Sequence, residues 1–144
     1  MTVGHPHPPE KVHPGVEAWK QGLIAAGIDP RERHCQYHVR THVNERSETA
    51  RGIAQPAITR YDEISRIGRK SVKAFEPNYD WQGMLASGRN NYGNPDECIQ
   101  NIHNAARHYY FDTLTTTFNF GGIPHEEIKK SMRLFSREVM PAFR

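Results

Sequence analysis

Several things are scarce in this chain of 144 residues, and each scarcity excludes a class of protein. There are two cysteines, Cys35 and Cys98. They are too few for a disulfide framework and too far apart for a CxxC metal knuckle. A reducing, cytoplasmic setting follows as the default expectation. No apolar run is long enough for a membrane span, and mean hydropathy is −0.79. The first nine residues contain no basic stretch leading into an apolar one, so a secretory signal is not expected. Lys and Arg outnumber Asp and Glu by 19 to 16, but they never form a run of five or six. No nucleic-acid patch is therefore read, and neither nucleic acid nor membrane is expected as a partner. Gly-x-Gly-x-x-Gly, Walker and Gly-x-Ser-x-Gly signatures are all missing.

What the chain does have is a size suited to one domain, nine histidines and ten prolines. Residues 1–15 hold Pro6, Pro8, Pro9 and Pro14 and read as an irregular Pro/His-rich segment. Its His5, His7 and His13 read as part of a tail, not as a metal site. The domain proper is expected over residues 16–144. Val16, Trp19, Leu23 and Ala26 make one apolar stripe of a helix that Gly27 and Pro30 stop. From His34 to Val43 the pattern alternates with period two. Cys35, Tyr37, Val39, Thr41 and Val43 lie on one face, and His34, Gln36, His38, Arg40 and His42 on the other. A helix capped by Ser47 and kinked at Pro56 follows, ending near Gly68.

Residues 69–91 read as a loop-rich insertion with one short helix at 81–86. Asn94, Pro95, Asp96 and Glu97 form a helix start, and Pro124, His125, Glu126 and Glu127 form another. Between them, Phe111 to Phe120 reads as a second strand that Gly121 and Gly122 end. These strands, with a short one near Asn91–Tyr92, alternate with helices and predict an α/β chain with a parallel sheet.

The polar strand face is the most informative feature. His38 and His42 are four apart, about 13 Å along a strand, too far to share a metal. No metal site is expected. In a parallel sheet covered by helices, such a face lines a polar cavity. Ligands gather at the carboxyl ends of these strands, which singles out Arg40 and His42. The glycines after the second strand would let backbone amides approach a ligand, although a plain strand-to-helix turn explains them equally well. The acidic pairs in first helical turns are explained by the helix dipole.

Three stretches carry a resemblance: Tyr92 to Ile99, Phe118 to Glu127, and Met132 to Pro141. With the helix running into Gly27, Ile28, Asp29 and Pro30, they resemble the C-terminal end of bacterial luciferase-like flavin-dependent monooxygenases. The turn at Arg107 to Tyr110 departs from that pattern. The resemblance implies the C-terminal portion of a (β/α)8 TIM barrel, few parallel strands alternating with helices, without the N-terminal strands. It implies reduced FMN, or the deazaflavin F420, reacting with O2 to oxidise a small organic molecule. By the same resemblance Phe118, Asn119, Phe120 and Gly121 sit at the top of the last strand, beside the cofactor or substrate. Arg40 and His42 end an earlier strand, Tyr92 lies by a short one between, and residues 75–88 cover the site. No catalytic residue can be assigned. The chain would work as part of an oxidoreductase, completed by a missing N-terminal half or by a second copy in a homo-oligomer. The alternative is a non-catalytic truncated remnant that oligomerises or binds a ligand without turnover.

Overall fold

The computed structural model describes residues 1–4, 7–68 and 80–143. The covering segment expected around Phe75 lies mostly outside them. The short helix expected within that insertion is present as α3 (Trp81–Ala86), its first turn capped by Asp80 Oδ1 accepting from Gly83 N at 3.0 Å.

The central element is β2 (Gln36–Val43), the strand with the clean alternation. It pairs in parallel with three others. β1 (Thr2–Gly4) lies against Gln36–His38 and β3 (Asn90–Gly93) against Arg40–Val43, while β4 (Thr113–Thr117) lies against Gln36–Arg40. β1 and β4 both pair with Gln36–His38, so they take opposite edges of β2. The register fixes the faces, because parallel partners point the same way. Tyr37, Val39, Thr41 and Val43 share one face with Asn91, Leu114 and Thr116. His38, Arg40 and His42 share the other with Asn90, Tyr92, Thr115 and Thr117.

Helices cover both faces. α1 (Pro9–Ala25), α4 (Pro95–His108) and much of α5 (His125–Leu134) close the Tyr37–Val43 face. There Val16, Ala105 and Tyr109 pack on Tyr37 and Val39, and Cys98, Ile102, Leu134 and Phe135 pack on Val43. α2 (Ser47–Gly68) closes the histidine face through Ala54, Ala57 and Ile58, which pack on Tyr92, Phe120 and Ile123.

This arrangement corrects the expected barrel. In a barrel each strand lies between the one before and the one after it, and one face of the sheet looks into the barrel. Here β4 pairs with β2, passing over β3. The face that would look inward is packed under α2. The chain is a small α/β fold with a parallel sheet between helices, and the described residues do not show a partial TIM barrel.

Two local differences also have physical causes. The N-terminal segment is not irregular throughout: β1 forms at Thr2–Gly4, and α1 begins at Pro9, seven residues before Val16. Proline is tolerated in a first helical turn, whose amides have no intrahelical partner, so Pro9 opens the helix. Pro14 removes only the one bond toward Glu10. At the other end of the chain, α5 runs into a π-helical turn at Phe135–Val139, anchored by the buried Phe135 and Val139.

Candidate functional site

The carboxyl ends of β2, β3 and β4 meet above α2, and several expected residues are brought together there. His42 and Tyr92 are register partners, and both side chains are fully buried. Among the described residues neither ring nitrogen of His42 has a hydrogen-bond partner, nor does the Tyr92 hydroxyl. Burial holds the His42 pKa below its ordinary value, only partly offset by the negative charge of Glu127. The imidazole is therefore neutral at pH 7. Burial likewise pushes the Tyr92 phenol upward, so it stays protonated and able to donate. The Tyr92 ring stacks on Phe120 at 5.8 Å between centroids.

Arg40, half-buried on the same face, lies with its guanidinium 4.5 Å from the centre of the Tyr61 ring. Its i−2 neighbour His38 hydrogen-bonds Thr117 at 2.8 Å. Gly121 closes the loop against α2. Its φ is +57°, and a Cβ there would fall inside the backbone carbonyl of Ala57. The Gly121 carbonyl accepts from Arg60 Nε at 2.9 Å.

One expected residue stands apart: Asn119 is exposed. Phe118 lies between the two layers, packing on the Tyr92–Phe120 cluster and meeting the Phe135 ring edge-on at 5.4 Å.

The sequence reading missed Asn90 and Asn91. Both are fully buried in β3. Asn90 Oδ1 is unpartnered among the described residues, and its amide reaches only the Met84 sulfur at 3.7 Å. Asn91 points to the other face with both side-chain polar atoms unpartnered. A short strand is expected near Asn91–Tyr92, but two asparagines in succession carry no signal of burial. The histidine face thus carries a continuous buried polar layer of His42, Asn90 and Tyr92 holding donors and acceptors that the described protein does not satisfy. Each such group costs about 1–3 kcal/mol when buried unpaired. A layer of this kind suits a polar ligand with a hydrogen-bonding edge.

Across the strand, Val43 faces a second feature. A cleft of about 370 Å³ lies between the end of β2 and the outer side of α5, lined by Val43, Asn44, Glu45, Glu127, Lys130, Arg133, Leu134 and Arg137. Beneath it the buried Ser131 hydroxyl accepts from Val43 N at 2.7 Å, fastening α5 to the strand end. Among the described residues no group of three or more His, Cys, Asp or Glu could hold a metal ion. Nor is any described helix long and apolar enough to cross a membrane.

Compared with known proteins, the chain matches no family model. No curated protein matches it either. Among solved structures it is similar to the monooxygenase RslO1 from Streptomyces bottropensis, with a TM-score of 0.78 and 22% identity. The similarity covers 99% of this chain and 41% of that one, so this chain spans about two-fifths of the monooxygenase's length. At this identity the likeness is one of fold.

Proposed function

We propose that this chain is part of a monooxygenase-type oxidoreductase that uses reduced flavin, FMN or the deazaflavin F420, to oxidise a small organic substrate. The observation that carries the reading is the His42–Asn90–Tyr92 layer at the carboxyl ends of parallel strands. The fold likeness to a monooxygenase supports the choice of chemistry, and the luciferase-like resemblance of the sequence supports the choice of cofactor.

The hydrogen-bonding groups present match in kind those that the polar edge of a flavin ring needs, and in the chain alone they are fully buried. Tyr92 offers an O–H donor, Asn90 Oδ1 an acceptor and His42 one of each, all without partners among the described residues. His42, Asn90 and Tyr92 would hold a reduced flavin, which would supply the electrons for O2 activation. The chain's own residues bind and orient. Neutral His42 accepts a hydrogen bond at one ring nitrogen while donating one from the other. Tyr92 donates from its hydroxyl. The stacked rings of Tyr92 and Phe120, packed on α2, keep water from that edge.

A complement completes the unit, either a second polypeptide or a second copy of this chain. Among the described residues β3 and β4 each pair only with β2, which leaves sheet edges open to a further strand.

The test is a titration of the purified chain with FMN in both redox states, read by flavin fluorescence and absorbance, followed by O2-dependent turnover with a flavin reductase. Saturable quenching at micromolar protein that weakens in Tyr92→Phe is the expected result. The reading fails if neither redox state binds, both for the chain alone and for the chain co-expressed with a polypeptide supplying the sequence that RslO1 has outside the matched region.

A further inference from the structure

The helix arrangement creates a second ligand position that the flavin reading does not use. After β2 the chain crosses through α2 on the histidine face, whereas after β4 it enters α5, whose later turns pack on the opposite face. β2 and β4 are neighbours. Where adjacent parallel strands send their helices to opposite faces, a crevice opens at the carboxyl ends, and this is the favoured binding position of open α/β sheets. The 370 Å³ cleft lies there, between the end of β2 and α5.

Its lining has a definite chemistry. Lys130, Arg133 and Arg137 recur at intervals of three and four and share one side of α5 and its continuation. Val43 and Leu134 give the cleft an apolar edge. The carboxylates are partly spent. Glu127 is paired with Lys130 at 2.8 Å, and Glu45 remains at the rim. Arg137 also meets Glu138 at 2.6 Å, while Arg133 makes no ion pair among the described residues. The helix dipole accounts for one cation in the last turn of α5. Arg137 sits in the last turn of the π-helical continuation, where the dipole favours a cation as well. Such segments are rare, and they occur often at functional sites. Here the buried Phe135 and Val139 pin the segment while Arg137 faces the cleft.

We propose that this cleft binds a small organic dianion, a phosphate monoester with a short apolar group. Arg133 takes the phosphate oxygens directly, Arg137 and Lys130 join it by exchanging Glu138 and Glu127 for the ligand, and the apolar group meets the edge that Val43 and Leu134 give the cleft. Glu127 lines the cleft and its charge also reaches His42, and FMN is itself a phosphate monoester, so the variants tell the two readings apart: Tyr92→Phe should weaken FMN binding and leave butyl phosphate binding unchanged, and Arg133→Gln/Arg137→Gln should weaken butyl phosphate binding.

The experiment is calorimetric titration of the full chain with butyl phosphate, inorganic phosphate and butyrate. Butyl phosphate is expected to saturate one site and to bind tightest, weakening as salt is raised. The double variant Arg133→Gln/Arg137→Gln should lose at least about tenfold in affinity with an unchanged far-UV spectrum, and Glu45→Gln should gain affinity. The proposal is overturned if butyl phosphate does not saturate, if the double variant binds like the parent, or if butyrate binds as tightly as butyl phosphate.

Discussion

Two tyrosines separate a satisfied buried hydroxyl from an unsatisfied one. Tyr37 and Tyr92 are both fully buried, both on strands of one sheet, and both stacked on a neighbouring ring. The Tyr37 hydroxyl donates to the Gly88 carbonyl at 3.0 Å. The Tyr92 hydroxyl has no partner among the described residues. Replacing each with phenylalanine keeps the ring and removes only the oxygen. Tyr37→Phe breaks a buried hydrogen bond and strands the Gly88 carbonyl, so it should destabilise by about 1–2 kcal/mol. Tyr92→Phe removes a group that pays a desolvation cost without return, so it should stabilise by about 1–2 kcal/mol.

The two variants should therefore differ by about 2–4 kcal/mol in opposite directions. Urea unfolding followed by far-UV circular dichroism and by tryptophan fluorescence reads the difference directly. The slope against denaturant should be the same in all three proteins, because the surface exposed on unfolding hardly changes. Tyr92→Phe should at the same time weaken FMN binding by a few fold to about tenfold, the worth of one neutral hydrogen bond. A stabilised protein with a weaker ligand site is the signature of a group kept for binding. If Tyr92→Phe instead destabilises by more than about 0.5 kcal/mol, the hydroxyl has a partner inside the folded chain and the polar layer is structural.

Two further outcomes follow from the same region. Gly121→Ala should cost about 3 kcal/mol or more, since it forces a side chain into the left-handed region and against the Ala57 carbonyl. A urea midpoint close to the parent's would contradict that close approach. Stability should also fall as the pH drops below 6.5, the ordinary histidine value from which His42 is lowered. The unfolded chain takes up a proton there while buried His42 in the folded chain does not, so acid favours unfolding until the pH passes the lower folded pKa. The slope from His42 cannot exceed about 1.4 kcal/mol per pH unit. His38 is shifted the same way and adds to the effect. His42→Gln should flatten the curve, and an unchanged curve would mean that His42 is protonated or solvated in the folded protein.

Local structure was legible wherever a side-chain pattern had one physical meaning. The alternation through His38, Arg40 and His42 meant a strand, and β2 is one. Asn94 before Pro95 meant a capped helix start, and Asn94 Oδ1 accepts from Glu97 N at 2.9 Å. Proline misled at Pro9, because a residue that ends a helix is also well suited to opening one. A short strand near Asn91–Tyr92 was legible, and β3 spans Asn90–Gly93, but nothing local showed that Asn90 and Asn91 would be fully buried in it. The sheet order was not legible at all. Which strand lies beside β2 is decided by where α2 and α4 pack, and no local periodicity carries that information.

The polar strand face shows where local reading stops and packing begins. Period two placed His38, Arg40 and His42 together, and chemistry excluded a shared metal. Neither could say that α2 would cover that face, or that Asn90 and Tyr92 would join it from β3. The packed arrangement gives each polar group a different fate. His38 finds Thr117, and Arg40 lies over Tyr61. His42, Asn90 and Tyr92, deeper and nearer the strand ends, retain unpartnered atoms. A fold selected for stability alone would fill those three positions with apolar residues of similar volume, as at Val39 and Val43 on the other face, where Asn91 is the one buried residue left with unpartnered side-chain atoms among the described residues. The polar residues lie at the carboxyl ends of the strands, where a parallel sheet presents its ligands, and that placement sets their unpartnered atoms apart as a binding edge.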